Sequence, residues 1–259
     1  MFHLGISIVI LIIGWNGQQD KPKLIFFLKM KNKNYSINIF SNNIIKIVFF
    51  GSRHREDLEQ INKIREIISD FNPEIVLIEG GFENADFSSE EEAIQNGESG
   101  FTCFLAKSKN IVVKGNDPSN SDQINFLMKS YDKNLIFAYF ILRKLSQTQD
   151  KKLIKKYIDN FKHLTNWKNF DYTPKNLIIN IKTILGKDIT EITKDYFNPY
   201  LDISYFNEVT KELSEFRDNY MINLLKNLIN SYKKIFIIKG KSHLLKQGQD
   251  IANLIKWVS

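Results

Sequence analysis

Two stretches constrain the fold of this chain more than any other feature. One reads Ile45-Lys46-Ile47-Val48-Phe49-Phe50-Gly51-Ser52-Arg53-His54, the other Ile235-Phe236-Ile237-Ile238-Lys239-Gly240-Lys241-Ser242-His243. Each is a short apolar run closed by Gly-x-x-His, and the pair uses two of the four histidines in the chain. A short run of this kind, bounded by turn residues, suits a strand covered on both faces, as in a parallel sheet. Two matched strand ends would deliver two imidazoles to one place.

The sequence between them alternates in the same sense. Residues 57–71 place Leu58, Ile61, Ile64, Ile67 and Ile68 at helical spacing, and Asn72-Pro73 ends that helix. A continuous apolar run follows at 74–79, closed by Gly80-Gly81. Residues 88–96 read as a short, capped acidic helix and 101–108 as another. A third core strand is expected at 111–113, ending in Gly115-Asn116-Asp117-Pro118. Ahead of this array, 35–40 alternates with period two, and Ser41-Asn42-Asn43 predicts a hairpin into 44–50. Beyond it, 121–230 reads as mainly helical, with Leu135 to Leu145 strongly apolar and Met221, Leu224, Leu225 and Leu228 on one face of 215–231. Residues 248–258 read as the last helix. The expected fold is α/β, with a mainly parallel core sheet flanked by helices. A helical insertion, or lid, is expected between the third and last core strands. The expected organisation is a signal peptide at 1–17, a linker or edge segment at 18–34, and a single α/β domain at 35–259 carrying the insertion at about 121–230.

Composition narrows the function classes. The formal net charge is +7, but only five residues are arginine, the favoured reader of phosphate and guanine, so nucleic acid is not expected as a partner. Lys151, Lys152, Lys155, Lys156 and Lys162 read as one solvated helix face. Cys103 is the only cysteine, which excludes an intrachain disulfide and a cysteine-based zinc site. Residues 4–15 are almost unbroken apolar sequence, of signal-peptide length and short for a membrane span. The expectation is an exported protein, periplasmic or secreted. The alternatives are a hydrophobic first strand or helix of a cytoplasmic protein, or an uncleaved segment that would be its only tie to a membrane.

In an open parallel sheet, ligands bind outside the carboxyl ends of the strands. His54, Glu79, Asp117 and His243 all follow or end core strands. Imidazole nitrogen with carboxylate oxygen suits a divalent metal with an open position for water. The same set suits metal-free chemistry with His54 or Glu79 as general base. Asp117, in Asn-Asp-Pro-Ser, reads first as a turn residue. The glycine of each phrase is expected to let the chain leave its strand sharply and to bring N–H groups close to a ligand.

Five motifs in order resemble the TraB/PrgY and TIKI group, within the superfamily that also holds the erythromycin esterases and the ChaN-like haem-binding proteins. They are Gly51-Ser52-Arg53-His54, Val76-Leu77-Ile78-Glu79, Gly97-Glu98 with Phe101 and Ala106, Glu215-Phe216-Arg217-Asp218 with Met221, and Gly240-Lys241-Ser242-His243-Leu244. The resemblance spans roughly 44–257. Arg53 stands where a small residue is usual, and the Leu-Pro-Gly often found after the closing histidine is missing.

The resemblance implies an active centre of His54, Glu79 and His243, which are also the implied metal ligands. Glu98 and Arg217 are implied as supporting polar residues. The implied activity is a hydrolase acting on a small-molecule or peptide substrate, as a peptidase or esterase dependent on Mn, Co or Zn. The alternatives it implies are a haem- or iron-binding protein of the ChaN-like kind, or a non-catalytic regulatory member of the TraB group.

Overall fold

The structure is a computed structural model that describes residues 5–12, 24–32, 34–53, 57–148 and 150–257. The chain divides into two compact units: residues 1–117 with 218–259, and residues 118–217. No helix among the described residues is long and apolar enough to cross a membrane.

The first unit is α/β and is built on one seven-stranded sheet. Its strands are β1 (Gly5–Ile12), β2 (Leu24–Lys31), β3 (Ser36–Ser41), β4 (Lys46–Ser52), β5 (Ile75–Ile78), β6 (Val112–Gly115) and β7 (Lys234–Gly240). In space they run β1-β2-β3-β4-β7-β5-β6. The four strands expected as the core, β4, β7, β5 and β6, are parallel to one another. The 35–40 and 44–50 runs form the expected antiparallel hairpin of β3 and β4. Two further antiparallel strands extend it: β2 pairs with β3, and β1 closes that edge against β2.

Strand alternation sends successive side chains of the parallel strands to opposite faces. Val48, Phe50, Val76, Ile78, Phe236 and Ile238 share one apolar cluster with Ile61, Ile64 and Ile68 of α1 (Leu58–Phe71) and Phe101 of α3 (Gly97–Ser108). Ile47, Phe49, Ile75, Leu77, Ile235 and Ile237 form the opposite cluster. It includes Met221 and Leu225 of α8 (Tyr205–Leu228), and Leu244, Ile251 and Ile255 of α9 (Lys241–Trp257). Both faces are covered, which is why these strands read as continuous apolar runs. Each fully buried side chain of this size contributes about 1.5–3 kcal/mol relative to exposure.

Local signals set the helix ends. The Asp57 carboxylate accepts the Glu59 N–H at the start of α1, and Asn72 ends that helix in the left-handed region at φ 46°. Ser89 caps α2 (Glu90–Gln95). Gly97, at φ +73°, joins α2 directly to α3, so α3 starts four residues earlier than its apolar pattern suggested. The last helix also starts early. Lys241 follows β7 without a linker, and Gly248 lies inside α9, where it packs over Asn38 and Phe40 of β3.

The second unit is helical, with α4 (Asn120–Leu127), α5 (Lys133–Thr148), α6 (Ile154–Thr165), α7 (Pro174–Leu185) and the first part of α8. A Ser119–Asp122 capping box opens α4. Its core is aromatic: Phe137, Tyr139, Phe161, Phe197 and Phe206 are buried together, with Trp167, Phe170 and Tyr172 against them. The Tyr131 hydroxyl donates to Glu212 at 2.6 Å, and burial first, then that carboxylate, pushes its pKa up.

Candidate functional site

The polar residues of the first unit gather at the carboxyl ends of the parallel strands. At the end of β7, the Gly240 N–H donates to Glu79 Oε2 at 2.9 Å. Glu79 directly follows β5 and precedes Gly80 and Gly81 at φ +94° and +76°, so the strand stops sharply there. Asn116 and Asp117 leave β6 toward the same place. The Asn116 N–H donates to the Ile78 carbonyl at 2.8 Å, and its side-chain amide donates to the Ile238 carbonyl at 3.0 Å. Asp117 Oδ1 accepts from Lys239 Nζ at 2.9 Å. The turn reading of Asp117 therefore misses its partner, a lysine with no exposed surface.

His243 lies in the first turn of α9. Its Nδ1 is 2.5 Å from Asp218 Oδ1, on α8. Gln247, one turn after His243, donates to the same Asp218 oxygen at 2.7 Å. The spacing of four residues puts His243 and Gln247 on one helix face, and both meet one carboxylate. The side chains of His243 and Asp218 are only 11% and 13% exposed, so their hydrogen bond is largely shielded from competing water. A carboxylate on Nδ1 favours the tautomer with the proton there and leaves Nε2 as the basic or metal-binding nitrogen.

The end of β4 is arranged differently. Ser52 is buried, and its hydroxyl donates to Glu98 in the first turn of α3. The Glu98 backbone carbonyl accepts from Thr102 Oγ1 at 2.6 Å. The Arg53 N–H donates to Gln60 of α1 at 3.2 Å. Arg53 itself is exposed, and His54, the expected partner of His243, lies outside the described residues.

The expected site residues thus fall into three positions. Glu79 joins the β7 phrase through the Gly240 amide, and Glu98 joins the β4 phrase through Ser52. Arg217 precedes Asp218 on α8, half-buried, and its Cβ leaves the helix about 100° around from that of Asp218. The chain leaves β7 sharply at Gly240 and enters α9 at Lys241, while neither Gly51 nor Gly240 has positive φ. A Cβ on Gly51 would stand 3.1 Å from the Lys241 Cα and 3.1 Å from Leu244, so Gly51 makes room for the first turn of α9. The glycine of the first phrase thus lets the second phrase seat its histidine.

Gln247 and Lys239 were not expected as site residues. Asp218 was singled out only through the resemblance, as part of Glu215-Phe216-Arg217-Asp218, and the His243-x-x-x-Gln247 spacing was its one other signal. Among the described residues, no group of three His, Cys, Asp or Glu side chains could hold a metal ion. A metal held by the expected set would need His54. Comparison with protein-family models, with curated proteins and with solved structures finds no match to this chain.

Proposed function

We propose that this chain is a hydrolase in which His243 activates water, with Asp218 holding its imidazole. The observation that carries this reading is the shielded 2.5 Å contact between His243 Nδ1 and Asp218, reinforced by Gln247. With the proton kept on Nδ1, Nε2 can take a proton from water as the water attacks a carbonyl carbon. The imidazolium that forms is stabilised by the Asp218 carboxylate, and it returns its proton to the departing amine or alcohol. Peptide and ester bonds are the substrate class. Glu79, bonded to the Gly240 amide, fixes the strand end from which His243 is presented. The ordered motifs resembling the TraB and TIKI group support the same assignment.

In the metal-dependent form of this reading, His243 Nε2, Glu79 and His54 would hold a divalent ion of the Mn, Co or Zn kind, and His243 would then act as a ligand and not as the base. Such an ion would supply Lewis acidity and a more acidic bound water.

The test is hydrolysis of chromogenic peptide and ester panels by the wild type, His243→Ala and Asp218→Asn. Each protein is assayed metal-free and after loading with Mn, Co and Zn. Turnover that both substitutions remove supports the reading. Turnover indifferent to His243 overturns it. A Soret band on mixing with haem, without turnover, would point to a ligand-binding protein instead.

A further inference from the structure

We infer that Lys239 is a positioning residue, which through its pair with Asp117 sets the presentation of His243. The inference rests on the reading of His243 as the base. Strand alternation places Lys239 on the face occupied by Ile235 and Ile237, the face that α8 and α9 cover. An apolar residue would satisfy packing at that position. The chain instead buries an ammonium completely, and Asp117 is its one hydrogen-bond partner among the described residues.

A buried ion pair adds little net stability over an apolar pair of similar size, so stability alone is a weak account of it. Its placement offers a better one. β5 lies between β7 and β6, so the bond from Lys239 to Asp117 reaches past the end of β5. There it joins two other cross-ties, Gly240 N–H to Glu79 and Asn116 to the Ile238 carbonyl. Three strand ends are locked together over the three residues before α9 begins. No linker separates β7 from α9, so a displaced strand end moves His243 relative to Asp218, which is held on another helix. Lys239 also stands in register with Gly51, the residue that admits the first turn of α9.

The experiment compares the wild type with Lys239→Met and with Lys239→Met/Asp117→Asn. Three readouts are used: thermal melting, ¹⁵N NMR of the His243 ring tautomer and Nδ1–H protection (assigned with His243→Asn), and hydrolysis. Lys239→Met alone should lower the melting temperature, because it removes the ammonium that donates to Asp117 Oδ1. The double variant should regain most of that temperature. It should still lose the protected Nδ1–H signal and at least tenfold in kcat, with little change in KM. A double variant with the wild-type tautomer signal overturns the inference and leaves the pair purely structural.

If the double variant does not fold, Asp117→Asn, which removes the charge pair and keeps the lysine, is read in its place. An unchanged tautomer signal there also overturns the inference. The NMR readout does not need turnover, so a wild type that hydrolyses nothing but shows the signal defeats the proposed function alone.

Discussion

The two Gly-x-x-His phrases have nearly the same sequence and different structures. After Gly240 the chain turns at once into α9, and His243 sits in its first turn against Asp218 and Gln247. After Gly51 the strand continues through Ser52 and then gives way to coil at Arg53, before Asp57 caps α1. The residues downstream of each phrase make the difference. Lys241 to Leu245 lead straight into an amphipathic helix with Leu244, Ile251 and Ile255 on its buried side. α1, by contrast, starts at Leu58 with the Asp57 carboxylate as its cap. A Gly-x-x-His phrase therefore marks a strand end without fixing the backbone beyond it. In this chain the phrases also depend on each other, since the first supplies the glycine over which the second packs.

Asp218→Asn should break the contrast most severely. It removes the charge that bonds His243 Nδ1 and puts an amide in its place, which can donate to Nδ1 and favour the wrong tautomer. General acid–base groups contribute about 10²–10⁴-fold, so kcat/KM should fall within that range. The urea midpoint should move far less. Equal losses of activity and stability would make the dyad a packing feature.

Gly51→Val comes next. Its Cβ would meet Lys241 Cα and Leu244 Cδ2 at 3.1 Å, and the first of these is backbone that cannot rotate away. Overpacking of this kind costs about 1–3 kcal/mol. Urea denaturation would measure it. Loss of the His243–Asp218 NMR signature in the same variant would tie the β4 phrase to the β7 phrase directly. An unperturbed signature would separate them.

Ser52→Ala tests the β4 end alone. Glu98 is buried at 4% exposure and would lose a hydroxyl donor, at a cost of about 1–2 kcal/mol. The His243 signature should stay intact. If it changes, the two strand ends share one network, and the contrast between them is weaker than their local contacts suggest.

The parallel half of the sheet was legible because β4, β5 and β7 are covered on both faces, which leaves a plain run of Ile, Val, Leu and Phe in each, while the edge strand β6 showed only Ile111-Val112-Val113. The β3–β4 hairpin was legible from its alternation. The strand β2 was harder to read: the mixed, lysine-bearing 21–34 stretch gives no clean period, and its place in the sheet comes from pairing with β3. Gly248 hid the start of α9, because a glycine inside a helix looks like a boundary until its packing over β3 is seen. At the site, Glu79 and Glu98 stood out as carboxylates at a strand end and a helix start. Lys239 did not, since a lysine closing an apolar run reads as the first solvated residue. Asp218 was legible only through the resemblance. It is one charge among several on α8, and the approach of α9 is what gives it His243 and Gln247 as partners.

The smallest expected effect lies away from both phrases, on the α1–α2 contact. Arg65 makes a two-pronged bond to Glu90, at 2.9 and 2.7 Å, while its guanidinium stands 5.0 Å over the Phe101 ring. The hydrogen bond from Arg65 is the main cause holding the Glu90 carboxyl below its ordinary pKa. A carboxyl whose folded pKa is depressed contributes stability that is complete above its unfolded pKa and is lost as pH falls through the folded value. The contribution should therefore be present at neutral pH and disappear on acidification below the ordinary glutamate range. Both side chains are more than one-third exposed, at 42% and 37%, so screening holds it to roughly 0.5 kcal/mol. Arg65→Met should remove that acid-sensitive increment, and urea midpoints at pH 7 and pH 3.5 would measure it. The His243 tautomer signal should be unaffected at neutral pH. If it changed, α1 and α2 would also help present the imidazole, and the asymmetry between the two strand ends would extend across both faces of the sheet.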